Sequence, residues 1–264
     1  MPAPFKPRGC LLGSTVPTKL SSEARASMQA SVQHTGELVL VKGYNSTPIS
    51  NQGGAGSCVA NAVCDALEIC RAQEGAVQQL SRRALYSWSR ASHGENHNDT
   101  GTYIHSALTV AQNIGVAPEE SWPYYDDAAH INQDPPSELV ILAADNKITG
   151  FHQVDDEARV DIVELCLRGN QPCVFAMLLP KEYANPAPDK YIVDLVEGNE
   201  WGWHAQVIVG MTTLAEGTRL FLVRNSWGSD WCDQGYCWIS DKCLAHPTRI
   251  QDVFALTTMK ELVL

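Results

Sequence analysis

The hydrophobic period of this chain changes once along its length, and that change restricts the folds open to it. From Cys58 onward Val59, Val63, Ala66, Leu67 and Cys70 recur at three- and four-residue steps among Ala, Glu and Leu, which predicts a helix with Cys58 in its first turn. LSRRALYSW and YIHSALTVAQNIG continue the helical character. Gly115 closes the second of these, and Asp99, Thr100, Gly101 and Thr102 offer capping residues ahead of it. After a connector containing Pro123, Pro135 and Pro136 come short apolar or alternating runs: ELVILA, PCVFAMLL, KYIVDLV, AQVIVGM, RLFLVRNSW and YCWIS. Each reads as a strand, with DIVELCLRGNQ as a helix among them. Helices first and strands later predict an α+β fold of two lobes.

An apolar run from Leu38 to Val41 reads as a further short strand, leading into a loop with Asn51, Gly53, Gly54 and Gly56. Residues 1–36 mix Pro, Ser, Thr and small residues without a sustained period and read as a loosely ordered lead segment. The expected organisation is that lead followed by one domain over 37–264. Its helical lobe covers about 50–135, and its strand-rich lobe covers about 136–264 together with the strand near 38–42.

Lys and Arg number 19 against 30 Asp and Glu, a net charge of -11. That balance argues against a nucleic-acid partner, whose phosphates need a basic surface. It suits solubility, and to a lesser degree basic substrates. No run approaches the ~18 apolar residues of a membrane-spanning helix, so no membrane partner is expected. The apolar patch after Lys6 and Arg8 is too short for a secretory signal, which points to the cytoplasm, or to export without a recognisable signal peptide.

Nine cysteines, an odd number, leave at least one thiol unpaired in any compartment. Most are expected to stay as buried thiols. Cys232, Cys237 and Cys243 lie close enough in sequence to form an exception, and without paired C-x-x-C spacing they do not read as a zinc site. No metal site and no cofactor is expected.

A thiol reacts as its thiolate, and the positive end of a helix dipole favours that form, so Cys58 stands where a nucleophile belongs. Gly53, Gly54 and Gly56 let the backbone turn sharply ahead of it and bring N–H groups toward a bound carbonyl. A structural cysteine beside a tight turn is the alternative that an isolated residue would favour.

The wording of the whole stretch decides between them. NQGGAGSCVANA resembles the nucleophile segment Q-G-x-C-G-S-C-W of the papain-like cysteine peptidases, with Gln52 in place and Gly56, Ser57 and Cys58 matched letter for letter. Ala55 replaces a family cysteine that commonly forms a disulfide, and Val59 replaces the usual Trp. The wording is most similar to the short bacterial and viral members. GWHAQVIVGM around His204 resembles the family's H-A-V-x-x-V-G-Y, and LVRNSWGSDWCDQGYCWIS around Asn225 resembles K-N-S-W-G-x-x-W-G-x-x-G-Y. LSRRALYSW, GVAPEESWPY and DTGTYIHSAL match further family stretches, so the likeness runs from about residue 38 to about 258.

The resemblance implies a papain-like two-lobed fold, with a helical lobe, a β-barrel-like lobe and the active site in the cleft between them. It implies a cysteine endopeptidase in which the Cys58 thiolate attacks a carbonyl and His204, as imidazolium, stabilises the ion pair and then protonates the leaving amine. Asn225 would orient His204, and the Gln52 amide with the Cys58 N–H would form the oxyanion hole. Gly101, Gly56, Ser57 and Trp227 are expected on the substrate-binding side, with Trp227 also shielding the His–Asn hydrogen bond. The expected partner is a protein or peptide substrate. The chain's own N-terminal segment, near Pro7 to Pro17, is expected either to cover or enter the cleft as an inhibitor until it is trimmed, or to be a simple lead strand for the second lobe. An acyl-transferring ligase or transpeptidase would use the same residues, whereas a catalytically silent binding module would ordinarily have lost one of them.

Overall fold

The strand-forming runs of the second half of the chain meet in one antiparallel sheet, because β-branched and aromatic residues pack well on a pleated surface. In the computed structural model, which describes residues 10–12, 38–95, 97–186, 192–193 and 199–257, the strands are β1 Cys10–Leu11, β2 Val39–Leu40, β3 Thr102–Tyr103, β4 Gly150–Gln153, β5 Cys173–Pro180, β6 Glu200–Thr213, β7 Arg219–Arg224, β8 Tyr236–Ser240 and β9 Ile250–Thr257. Seven of them form the sheet, in the order β4-β9-β5-β6-β7-β8 with β2 added to β6. The expected barrel-like lobe is thus an open sheet among the described residues, with β4 and β8 at its ends. Of KYIVDLV only Ile192 and Val193 are described, the Val193 N–H bonding to the Trp238 carbonyl at 2.8 Å. The lead segment lies outside the described residues apart from 10–12.

The helices are α1 Cys58–Gln73, α2 Arg82–Ala91, α3 Ile104–Asn113, α4 Ala128–Ile131, α5 Leu139–Ala143, α6 Arg159–Arg168 and α7 Asp241–Leu244. Helix α1 is apolar nearly all round and buried from Cys58 to Cys70, as a helix wedged between a sheet and other helices must be. It packs on β5, β6 and β9 on one side and on α2 and α3 on the other, and one continuous apolar core runs from α1 into the sheet. Ser81 caps α2 by accepting from the Ala84 N–H. Gly115, at φ +95°, ends α3.

Two expectations are corrected here. ELVILA is not a strand but contains α5: Leu139 and Ala143, four residues apart, are buried together against Ala117, while Val140, Ile141 and Leu142 face solvent. A short apolar run carries no period of its own, and here a single helical turn buries its ends. The stretch before α3 supplies no side-chain cap, since its N-cap is Tyr103 without a capping bond, and Asp99 is committed elsewhere. The interior strand β9 and the short strand β4 are elements that sequence patterning left unassigned.

Candidate active site

The site forms where the start of α1 meets β6 and the chain leaving β7. The register Val207↔Arg224 between β6 and β7 carries the next residue, Asn225, back along β6, and its Oδ1 lies 2.8 Å from His204 Nε2. The loop ahead of Cys58 is stitched to the chain leaving β7. Gln52 N–H donates to the Ser226 carbonyl at 2.9 Å, Gly228 N–H donates to the Ser50 carbonyl at 2.9 Å, and Asn51 bridges Trp227. The Cys58 thiol lies within reach of the N–H of Ala205, the residue after His204, and of the N–H groups of Val59 and Cys58 at the open end of the helix. Four residues far apart in sequence, Gln52, Cys58, His204 and Asn225, are thereby gathered in one place.

Each of the four side chains is shut away from water, with Cys58 and Asn225 at 1% and Gln52 and His204 at 0% exposure. Burial pushes the Cys58 thiol up to about 12; the N–H groups of Ala205, Val59 and Cys58 oppose this, and the charge of Asp99 adds to it. Burial likewise pushes His204 down to about 4, against the hydrogen bond to Asn225 that favours its charged form. Burial thus opposes both charges of the expected thiolate–imidazolium pair, because neither is solvated in so dry a setting.

Strand β1 packs against β6, the strand that carries His204. Cys10 pairs with Thr102 and Leu11 with Tyr103, parallel to β3, so a piece of the N-terminal segment lies along the cleft edge. The edge in use is Thr102–Tyr103 and not Gly101, whose N–H is already given to Tyr86 Oη at 3.0 Å. Ser57 is likewise engaged within the protein: its Oγ lies 2.5 Å from Tyr124 Oη and accepts from Asn61 Nδ2 at 3.0 Å. The Gly56 N–H donates to the Asp99 carboxylate at 2.9 and 3.1 Å, so this N–H and the Ser57 hydroxyl are engaged in holding the nucleophile loop. Trp227 stacks on His204, ring centroids 4.7 Å apart, within an aromatic group that includes Tyr183, Trp201 and Trp231. Gln52 is held at both ends, by Ser226 Oγ donating to its Oε1 at 2.6 Å and by its own Nε2 donating to the Ala55 carbonyl at 3.0 Å.

A family model described as papain family cysteine protease matches residues 39–251, most of the chain and all four of these residues. The chain belongs to the papain family of cysteine proteases. It is similar to a cathepsin L-like peptidase of Aedes aegypti, 29% identical over 199 residues that make up 72% of this chain and 54% of that protein. The chain spans between 54% and 62% of the length of the first curated relatives it matches. Among solved structures it superposes on xylellain, a cysteine protease of Xylella fastidiosa, with a TM-score of 0.83 at 24% identity, covering 96% of each chain. It also superposes on a ragweed pollen allergen cysteine protease in its proform, with a TM-score of 0.68 at 23% identity, covering 88% of this chain and 69% of that one. At these identities the superpositions establish the papain-like fold.

Within the papain family frame, this chain handles the position of the missing disulfide differently. Ala55 has no sulfur, and the neighbouring Gly56 is tied instead by Asp99, which also accepts from Tyr86 Oη at 2.7 Å while Tyr86 holds Gly101. None of the nine cysteines, all of them among the described residues, is joined in a disulfide. Among the described residues no three of His, Cys, Asp and Glu converge as a metal would require.

Sequence reasoning also missed a charged layer beneath the site. Asp65 and Glu68 of α1 are buried and grip Arg82 at 2.6 and 2.8 Å, and Asp65 reaches Arg224 Nε at 3.2 Å, one residue before Asn225. Thr47 Oγ1 donates to Glu68 at 2.6 Å and Ser50 Oγ donates to Asp65 at 3.3 Å. Two acids three residues apart on an otherwise apolar helix were the available signal, since buried carboxylates need cationic partners.

Proposed function

We propose that the protein is a cysteine peptidase that hydrolyses peptide bonds through a thioacyl intermediate on Cys58. The observation that carries this reading is the convergence of Cys58, at an open helix N-terminus and against the Ala205 N–H, with the His204–Asn225 pair at 2.8 Å. His204 Nε2 is taken by Asn225 Oδ1, which orients the ring so that Nδ1 is the nitrogen left for the thiol proton. The thiolate then adds to the substrate carbonyl. The oxyanion is met by the Cys58 N–H and by the second hydrogen of the Gln52 amide nitrogen, whose first goes to Ala55. His204 gives its proton to the departing amine, and water resolves the acyl-enzyme by the same route in reverse. Trp227 keeps water off the His204–Asn225 bond, and the Thr102–Tyr103 edge receives the substrate backbone.

In the same reading the N-terminal segment acts as the chain's own inhibitor. β1 occupies the edge a substrate would use, and a ragweed relative of the same fold has been solved in its proform. Intact-mass measurement after treatment with an epoxysuccinyl probe, alongside peptide hydrolysis, tests the site. The expected result is a single adduct at Cys58 after residues 1–36 are removed, lost in Cys58→Ala and strongly slowed in His204→Ala. An adduct on another cysteine, or hydrolysis that survives Cys58→Ala, would overturn the assignment.

A further inference from the structure

The connector between α3 and α4 reaches the nucleophile loop, and the reaction proposed above gives it no part. Within that connector the Tyr124 Oη donates to the Gln52 carbonyl at 2.9 Å and lies 2.5 Å from Ser57 Oγ. A phenol has one proton to give, so with that proton on Gln52 it is Ser57 that donates to Tyr124. Asn61 Nδ2 in turn donates to Ser57 Oγ at 3.0 Å. The bonds therefore run in one direction, from Asn61 through Ser57 and Tyr124 to Gln52, with every proton used. Ser57 is the N-cap of α1, yet its side chain makes no cap bond. A serine there ordinarily accepts from an N–H of the first helical turn; turned to Tyr124 instead, it leaves those N–H groups to the site. Asp126, two residues on, accepts from the Gly54 N–H at 3.2 Å, and it approaches so closely that a Cβ on Gly53 would come within 1.7 Å of its carboxylate. The connector is itself tied down, the Tyr124 N–H donating to Glu119 Oε1 at 2.6 Å.

We propose that Tyr124 is a positioning residue for the oxyanion hole, its hydroxyl gripping both ends of the loop that separates the two donors, with Asp126 as a second hold at the middle of that loop. The inference rests on the reading of the Gln52 amide and the Cys58 N–H as those donors. One end of the loop is Gln52 itself. The other is Ser57, whose peptide unit carries the Cys58 N–H, so the Ser57–Tyr124–Gln52 bridge sets the distance from one donor to the other. Such donors stabilise a developing charge because they are already in place, and a drift of either one costs rate without removing it. Tyr124 acts through Gln52 and Ser57, so its loss is felt where an oxyanion forms. Substitution of a halide by the Cys58 sulfur forms no oxyanion and is spared.

The experiment compares wild type with Tyr124→Phe, each folded as the full chain and only then released from its first 36 residues by a site-specific protease. Three quantities are read: peptide hydrolysis, inhibition by a peptide aldehyde whose thiohemiacetal oxygen takes the place of the oxyanion, and iodoacetamide labelling of Cys58 followed by mass spectrometry. In Tyr124→Phe kcat should fall about tenfold with KM unchanged, short of the ~10² lost with a donor itself, and the aldehyde should bind about tenfold more weakly. Cys58 should label at the wild-type rate. Ser57→Ala breaks the same bridge, so adding it to Tyr124→Phe should lower kcat little further. Unchanged kcat and aldehyde affinity in Tyr124→Phe would overturn the proposal, and so would a fall in labelling equal to the fall in kcat, which marks a loosened site. Should Tyr124→Phe fail to fold, the exposed Asp126→Ala decides by the same split between hydrolysis and labelling, its absence counting against the proposal. Hydrolysis that survives Cys58→Ala would overturn the nucleophile reading instead, so the two fail separately.

Discussion

Gln52 shows how one side chain is fixed for a purpose. Its carbonyl oxygen accepts from Ser226 and its nitrogen donates to Ala55, so the amide cannot turn over and its remaining hydrogen has a set direction. Gln52→Ala is expected to lower kcat of the trimmed enzyme by about 10², as loss of one oxyanion donor ordinarily does, and to lower stability by about 1–3 kcal/mol because Ser226 Oγ and the Ala55 carbonyl lose a buried partner; steady-state kinetics and denaturant unfolding check both halves. His204 makes a claim about pH. Its ordinary value is 6.5 and burial takes it to about 4 in the folded chain, so the unfolded state binds the proton more readily. Stability is therefore unaffected above the ordinary value and is lost as pH falls from 6.5 through about 4, by roughly 3 kcal/mol in all. Urea unfolding followed from neutral pH to pH 4 should show this loss, and His204→Gln should flatten it over the same window. Cys58, His204, Asn225 and Gln52 were legible from local wording because the reaction demands particular residue types in a particular local frame. The burial that opposes the charged forms of Cys58 and His204 was not legible, since it depends on what packs around them.

Helix α1 contributes the nucleophile at its first residue and a charged anchor in its third turn. Asp65 and Glu68 point into protein, not water, and their ties to Arg82 and Arg224 join α1 to α2 and to the end of β7. Asp65→Ala would take the carboxylate from buried Arg224, which keeps its bonds to the Tyr44, Thr47 and Pro48 carbonyls, and one of two carboxylates from Arg82, and we expect a loss of about 3–5 kcal/mol in denaturant unfolding. The same change should lower kcat by loosening the strand end that holds Asn225. Gly115 governs a second junction. At φ +95° it lies against the Ala143 carbonyl, and a Cβ there would come within 1.9 Å of that oxygen. Gly115→Ala is therefore expected to destabilise the chain by several kcal/mol, beyond the ~1 kcal/mol of left-handed backbone strain alone, because backbone of α5 must move; a melting curve decides it. The α3 stop was readable from that glycine in the sequence. The helical nature of α5 was not, since five apolar residues carry no period and only Ala117 and its neighbours, supplied by a distant segment, select the buried pair Leu139 and Ala143.

For the whole molecule the decisive relation is between β1 and β3, the edge with which it pairs. Removing residues 1–36 takes away β1 and lets water reach Cys58 and His204, which lowers the thiol pKa from about 12 and raises the imidazole pKa from about 4. We expect the trimmed protein to alkylate at Cys58 much faster than the full chain at neutral pH, with the half-maximum of its rate–pH curve displaced downward; equal rates in the two forms would remove β1 from any inhibitory role. The sequence by itself determined the family, the α+β class and the four residues that meet in the site, because those depend on periodicity and on motifs carried within short stretches. Only the tertiary structure decided that the sheet is open among the described residues, that β9 lies inside it and that Asp99 bonds the loop where the family has a bridged cysteine. It alone also decided that Arg224 meets Asp65 and that Cys10 pairs with Thr102. Each of these joins segments far apart in the chain, and burial, hydrogen bonding and charge at such junctions are properties of the neighbours that folding brings together, which no local pattern encodes.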